Sequence, residues 1–277
     1  MHWQTTRFRI DLAHPKVMGI VNVTPDSFSD GGRLATSAAA NAYCEQLLRE
    51  GADMLDIGAE STRPGSRPVP VEEELARLRP VLDAALKLGC PVSVDTNKPE
   101  VMTAVLALGV DIINDINALQ TPGALDVVAG HAACGVCLMR MRGTPESMQR
   151  RTHYDDVVDE VSAFLRGRAS ELNAHGVADE RIVFDPGIGF GKSVEHNLEL
   201  LRRQAELLVL GRPLLLGWSR KSTLGAITGR DVTQRLAASL AAALAAVQSG
   251  AHIVRVHDVA ATSDALRVWR AAGLGQG

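Results

Sequence analysis

The feature that most restricts the fold of this chain is a regular alternation of short, β-branched apolar runs with longer helical patterns. The apolar runs fall at 16–21, 53–57, 91–94, 111–113, 135–139, 181–184, 213–216 and 252–256. Helical patterns follow at 37–50, 71–88, 99–108, 122–130, 154–175, about 195–204, 232–248 and 259–271. Ser37 can cap its helix, Pro99 can open its own, and the 71–88 segment is acidic at its start, as the helix dipole favours. Strands that are apolar on both faces belong in a parallel sheet covered by helices. Eight strand–helix units in 277 residues predict a single-domain (β/α)8 barrel over residues 1–277, with 1–15 as a short N-terminal extension. A doubly wound open sheet is the alternative, but no GxGxxG follows the first strand.

Composition narrows the function classes. The chain is 46% hydrophobic and 22% charged, which is ordinary for a soluble globular protein with ample core. A net charge of −3 offers no electrostatic footprint for nucleic acid or an anionic membrane. The first residues lack the apolar core of a signal peptide, so none is expected. The uncharged run 236–254 is mostly alanine, is interrupted by Ser239, Gln248, Ser249, Gly250 and His252, and makes a poor membrane span. Four cysteines do not make a disulfide framework in a chain this long, which points to the cytoplasm. Cys134-Gly135-Val136-Cys137 leads into a strand instead of opening a helix, and no second ligand pair accompanies it, so core packing is expected there.

In such a barrel the site lies at the C-terminal ends of the strands. The first strand ends in Asn22 and runs into Val23-Thr24-Pro25-Asp26-Ser27-Phe28-Ser29-Asp30-Gly31-Gly32. These are turn residues as well as site residues, and this segment alone fits both readings. The other strand ends carry matching chemistry: Glu60-Ser61-Thr62-Arg63-Pro64, Asp95, Asn114-Asp115, Asp185, Trp218-Ser219-Arg220-Lys221-Ser222 and Arg255-Val256-His257-Asp258. Asn22, Arg63, Arg255 and His257 suit phosphate oxygens and an accompanying Mg²⁺. Asp95, Asn114, Asp185 and Lys221 offer acceptors and donors for a flat heterocycle with amide-like edges. Gly187-Ile188-Gly189-Phe190-Gly191-Lys192 lacks the phosphate-loop spacing and reads as a close-approach glycine loop with Phe190 free to stack. No GxSxG elbow or HExxH occurs.

Met18 to Gly32 resembles the first signature of the dihydropteroate synthase family, and Asp56-Ile57-Gly58-Ala59-Glu60-Ser61-Thr62-Arg63-Pro64-Gly65 the second. Ser93-Val94-Asp95-Thr96, Ile113-Asn114-Asp115, Asp185-Pro186-Gly187, Ser219-Arg220-Lys221-Ser222 and Arg255-Val256-His257-Asp258 extend the resemblance over the chain in order. The resemblance implies a barrel enzyme of folate biosynthesis that joins 7,8-dihydropterin-6-ylmethyl diphosphate to p-aminobenzoate. It implies that Asp95, Asn114, Asp185, Lys221 and Arg255 hold the pterin, with Met139 and Gly217 lining the slot. Asn22, Arg63, Arg255 and His257 would meet the diphosphate, with Asn22 also the Mg²⁺ contact. Phe28, Thr62, Arg63, Pro64, Phe190, Lys221 and Ser222 would build the p-aminobenzoate pocket, completed when the loops 22–33 and 58–70 close. Asp95, Lys221, Arg63, Arg255 and His257 would be catalytic.

Arg140 and Asn117 depart from the pattern of some relatives, which bears on details of pterin contact. The alternatives are a methyltetrahydrofolate–corrinoid methyltransferase, which has no use for Thr62-Arg63-Pro64, and a catalytically silent binding homologue. The helix near 233–248 is apolar most of the way round, which fits tight packing on the barrel or a subunit contact. The resemblance favours a homodimer through the last helices.

Overall fold

The structure is a computed structural model that describes residues 1–24, 37–62, 65–145, 147–148 and 152–274. Its barrel strands and helices alternate as the periodicity predicts. They are β3 (Lys16–Asn22), α1 (Ser37–Arg49), β4 (Met54–Gly58), α2 (Val71–Ala85), β5 (Val92–Asp95), α3 (Pro99–Ala107), β6 (Ile112–Asp115), α4 (Ala124–Gly130), β7 (Gly135–Met139) and α5 (Val157–Ala174). The second part adds β8 (Ile182–Asp185), α6 (Val194–Arg202), β9 (Leu215–Leu216), α7 (Ser222–Thr228), α8 (Leu236–Gln248), β10 (Ile253–Val256) and α9 (Val259–Ala271). Ahead of them, β1 (His2–Gln4) and β2 (Arg9–Asp11) pair antiparallel as a hairpin.

The eight barrel strands pair in parallel in the order β8-β7-β6-β5-β4-β3-β10-β9. A parallel bridge between Phe184 and Leu214 closes the ring. An apolar shell between strands and helices forms the larger core, with Leu55, Val94, Ile113, Val136 and Val254 among its strand residues. The second core fills the barrel's N-terminal end. Met18, Met54, Ile112, Cys137, Val183, Leu215 and Ile253 project inward and pack with Trp3, Ile10 and Leu12 of the hairpin. The extension at 1–15 is therefore a plug. Trp3 is fully buried and its indole N–H donates to the Arg181 carbonyl at 2.9 Å. Arg7 grips the buried Asp111 carboxylate with Nη2 at 2.5 Å and also bonds the Leu86 and Cys90 carbonyls.

Several element ends differ from expectation by two or three residues, and the larger differences have local causes. The helix expected at 232–248 is a 3-10 turn (Val232–Gln234) followed by α8, because Arg235 leaves the helical backbone and turns its guanidinium to the Arg230 and Arg220 carbonyls. A seven-residue helix, α7, intervenes before it. Gly123, with φ 87°, delays the start of α4 beyond Pro122. All four cysteines are buried and free, and Cys134 lies against Arg181, so the CxxC is core, as expected.

Candidate active site

Because side chains alternate along a strand, a step of two from the plug layer stays inside the barrel and moves toward its C-terminal mouth. That step leads from Met54 to Asp56, Ile112 to Asn114, Cys137 to Met139, Val183 to Asp185, Leu215 to Gly217 and Ile253 to Arg255. The mouth is thus polar where the plug is apolar.

Arg255 is the centre of the polar layer. Its Nε donates to Asp56 Oδ2 at 2.6 Å and its Nη2 to Asp95 Oδ2 at 2.9 Å. Asn114 Nδ2 donates to the same Asp56 oxygen at 3.1 Å. Two carboxylates on one guanidinium leave a net negative charge in a nearly dry site. Burial accordingly pushes the Asp95 carboxyl well up, against the pull of Arg255, and the charges of Asp56 and Asp115 push the same way. Asp56 was not among the expected site residues. It sits inside the strand, not at its end, but it shares its parity with Asn114, Asp185 and Arg255, and an acid in a buried strand was the signal available.

Asp185 accepts the Gly187 N–H at 2.7 Å. Burial raises its pKa, opposed by that bond and by Lys221, Lys192 and Arg255. Lys221 stands over the Phe190 ring, with Nζ 4.0 Å from its centre. Burial lowers the Lys221 pKa to about 8, although Asp185 and Asp95 oppose this. Arg220, with φ 59°, makes the turn that precedes it, and its guanidinium is paired with Asp258. Ser222 opens α7 beside it. Phe190 packs on a methionine-rich cluster of Met139, Met141, Met148 and Ile116. Gly217 faces open space, since a Cβ there would meet nothing within 4 Å.

The glycine loop is a close-approach loop, as expected: a Cβ on Gly187 (φ 73°) would lie 2.0 Å from the Arg140 carbonyl oxygen. What the sequence reading missed is Lys192. Its Nζ donates to the carbonyls of Arg140 (2.9 Å), Gly187 (3.0 Å) and Phe190 (3.2 Å) and ties this loop to the end of β7.

His257 Nδ1 lies 3.0 Å from Ser219 Oγ, which also accepts the His257 backbone N–H at 3.2 Å. Ser219 therefore holds both the backbone and the Nδ1 edge of the His257 ring in place. Burial, helped by Arg220 and Arg255, lowers the His257 pKa to about 3, so the ring is a neutral N–H donor at pH 7. Asn22 ends β3 half-buried, and Thr62 lies near Asp95 in a small pocket with Thr96. Phe28, Arg63 and Pro64 lie outside the described residues. Asn117 turns its amide to Thr121 Oγ1 at 3.1 Å, and Arg140 stacks its guanidinium 4.3 Å from the centre of the Phe164 ring. Both departures therefore engage local partners. No group of three or more His, Cys, Asp or Glu side chains that could hold a metal occurs among the described residues.

A family model described as pterin binding enzyme matches residues 18–257. Dihydropteroate synthase of Neisseria meningitidis serogroup B is 53% identical over 98% of this chain and 98% of that protein.

The chain belongs to the dihydropteroate synthase family.

Solved structures of the family superpose closely. That of Xanthomonas albilineans dihydropteroate synthase with 4-aminobenzoic acid is 50% identical, has a TM-score of 0.92 and matches over 99% of both chains. That of the Burkholderia cenocepacia enzyme complexed with 7,8-dihydropteroate is 49% identical, has a TM-score of 0.89 and matches over 98% of this chain and 96% of that one. The corrinoid methyltransferase and silent-homologue readings are not favoured beside these matches.

Proposed function

We propose that this enzyme joins (7,8-dihydropterin-6-yl)methyl diphosphate to p-aminobenzoate, forming 7,8-dihydropteroate and releasing diphosphate. The observation that carries this reading is the gathering of Asp56, Asp95, Asn114, Asp185, Lys221 and Arg255 in one polar layer above a dry plug. A pterin ring presents guanidine-like N–H groups beside a ring carbonyl. Carboxylates at Asp95 and Asp185 suit the former, the Asn114 amide suits either, and the Lys221 ammonium suits the latter. Met139, Gly217 and Phe190 supply the apolar slot, and Arg255 covers the ring.

In the reaction the C–O bond to the diphosphate breaks and its electron pair leaves with the oxygen. The methylene carbon is left cationic and conjugated to the ring, and the negative layer of Asp95 and Asp185 stabilises that charge as it develops. The amine of p-aminobenzoate then attacks and afterwards gives up a proton to water. No protein nucleophile is needed, which agrees with the absence of any nucleophile elbow. The neutral N–H donor of His257, with Arg255, Arg63 and Asn22, receives the departing diphosphate. Thr62, Ser222, Phe190 and Lys221 border the arylamine, and the resemblance assigns Phe28, Arg63 and Pro64 to the same pocket.

Mg²⁺ fits this arrangement as a cofactor, because it is commonly held by one or two protein oxygens with substrate phosphates completing its shell. Asn22 would supply such an oxygen, and the ion when bound would neutralise diphosphate charge. The reading extends to a homodimer, supported by the exposed Ile227, Val232, Leu236 and Val268 on and around α7, α8 and α9. It also extends to a cytoplasmic setting, where the four free thiols stay reduced. No described helix is long and apolar enough to cross a membrane.

The test is diphosphate release that requires both substrates and Mg²⁺. Asp95→Asn should lower turnover by at least ~100-fold while weakening pterin binding far less, since it removes charge felt mainly in the transition state. Turnover unchanged by Asp95→Asn would refute the assignment.

A further inference from the structure

Lys98 lies three residues beyond Asp95, and its ammonium is shared by two carboxylates, Glu60 Oε2 at 2.5 Å and Glu74 Oε2. Glu74 belongs to the first turn of α2 and its side chain is 1% exposed; those of Lys98 and Glu60 are 18% and 16% exposed. The same Glu60 oxygen accepts the Val69 backbone N–H at 2.7 Å, nine residues along the chain. One residue before Glu60, the Ala59 carbonyl accepts from Arg77 Nη1 at 2.9 Å. The pocket between this cluster and the Asp95 strand end is lined by Glu60, Thr62, Glu74, Asp95 and Thr96.

These bonds have a common effect. Glu60 and Val69 are the two feet of one loop, and the bond between them closes it at its base. Lys98 then fastens that base to two rigid elements, the β5 end that carries Asp95 and the start of α2. A partly buried ion triad is poor value as plain stabilisation, because desolvating three charges offsets most of their attraction. Its gain is in fixing geometry. Burial opposes the charge on Lys98, but the bonds from Glu60 and Glu74 outweigh it and raise its pKa, so the ammonium stays charged.

We propose that Lys98, Glu60 and Glu74 form a positioning cluster that locks the base of the 60–69 loop to the Asp95 strand end and so sets where Thr62 stands. The proposal rests on the condensation reading above and adds to it a separation of labour. No member of the cluster hydrogen-bonds a group assigned to the pterin, and its one link to that set is the charge of Glu74, a minor push on Asp95, so its loss weakens use of p-aminobenzoate far more than pterin binding.

The experiment compares full-length wild type with Lys98→Met and Lys98→Arg. Lys98→Met is expected to raise KM for p-aminobenzoate by about tenfold, the equivalent of ~1.4 kcal/mol of lost arylamine binding. Binding of pterin diphosphate alone, measured by calorimetry, should stay within about twofold of wild type. Lys98→Arg should recover most of the loss. Amide hydrogen exchange of the 60–70 segment should speed up in Lys98→Met, with the barrel strands unchanged. If Lys98→Met does not fold, Glu74→Gln gives the same readouts. Wild-type KM with unchanged exchange, or a parallel loss of pterin affinity, overturns the proposal. A wild type that fails to release diphosphate overturns the condensation reading instead, and the exchange measurement still decides the locking role.

Discussion

Methionine at position 192 would keep the length of the lysine side chain and remove its charge and its three donors. Lys192 is 3% exposed, so its carbonyl partners on Arg140, Gly187 and Phe190 have little water to turn to. Leaving buried acceptors unmatched costs about 1–3 kcal/mol. A second contribution depends on pH. Burial lowers the Lys192 pKa to about 7, with Asp185 opposing and Arg140 reinforcing, whereas an unfolded lysine titrates near ~10.4. Between those values the unfolded chain binds more protons than the folded one. Stability therefore rises with pH through that window and is flat below it. Integrated from pH 6 to pH 9, the wild type gains roughly 2–3 kcal/mol that Lys192→Met cannot gain. Urea melts of both proteins at four pH values test this, since the difference between them cancels every group they share. Lys192→Met should be less stable throughout, and the gap should widen toward alkaline pH. A gap that stays constant would mean that the three carbonyls hold the ammonium charged, and would refute the argument from burial.

Other changes read out other parts of the structure. Burial pushes Asp95 up most, and Asp56→Asn removes one of the charges that add to it and leaves Arg255 to Asp95 alone, so the acid limb of the kcat/KM profile should move to lower pH. A limb that does not move, or moves up, counts against the shared-guanidinium account. Ser219→Ala frees the Nδ1 edge of the His257 ring and should raise KM for the pterin diphosphate about fivefold with under ~1.5 kcal/mol lost in stability, as measured by steady-state kinetics and melting. Trp3→Ala opens a cavity in the plug and should cost ~3–5 kcal/mol, or on the order of 10 °C in Tm by calorimetry, with turnover at low temperature retained.

The barrel was legible because parallel strands are apolar on both faces, and runs such as Val92-Ser93-Val94 and Ile253-Val254 announce themselves. The hairpin was not, because strands of three residues with polar neighbours carry no usable period, and only the contact of Trp3 with the barrel floor explains them. Helix α7 escaped because seven residues that include Gly225 and two threonines are a weak pattern, held in place by packing. Among site residues, those at strand ends could be read from their position. Lys192 could not, since its partners are backbone carbonyls, which no side-chain pattern records.

Asp56 belongs to a different category, because its place follows from a constraint the sequence does contain. The hairpin plug requires Met54, Ile112, Val183 and Ile253 to point inward. Once they do, the alternation of side chains compels Asp56, Asn114, Asp185 and Arg255 to point inward as well, one layer nearer the mouth. A slip of one residue in any of these strands would turn its polar group into the apolar shell beneath the helices, where a charge has no partner and costs several kcal/mol. Dry floor and charged mouth are thus fixed by the same register. The buried acid in β4 is not an exception to the hydrophobic pattern of that strand. It is the second inward position of a strand whose first is the floor, and Arg255, two residues beyond Ile253, is its counterpart from β10.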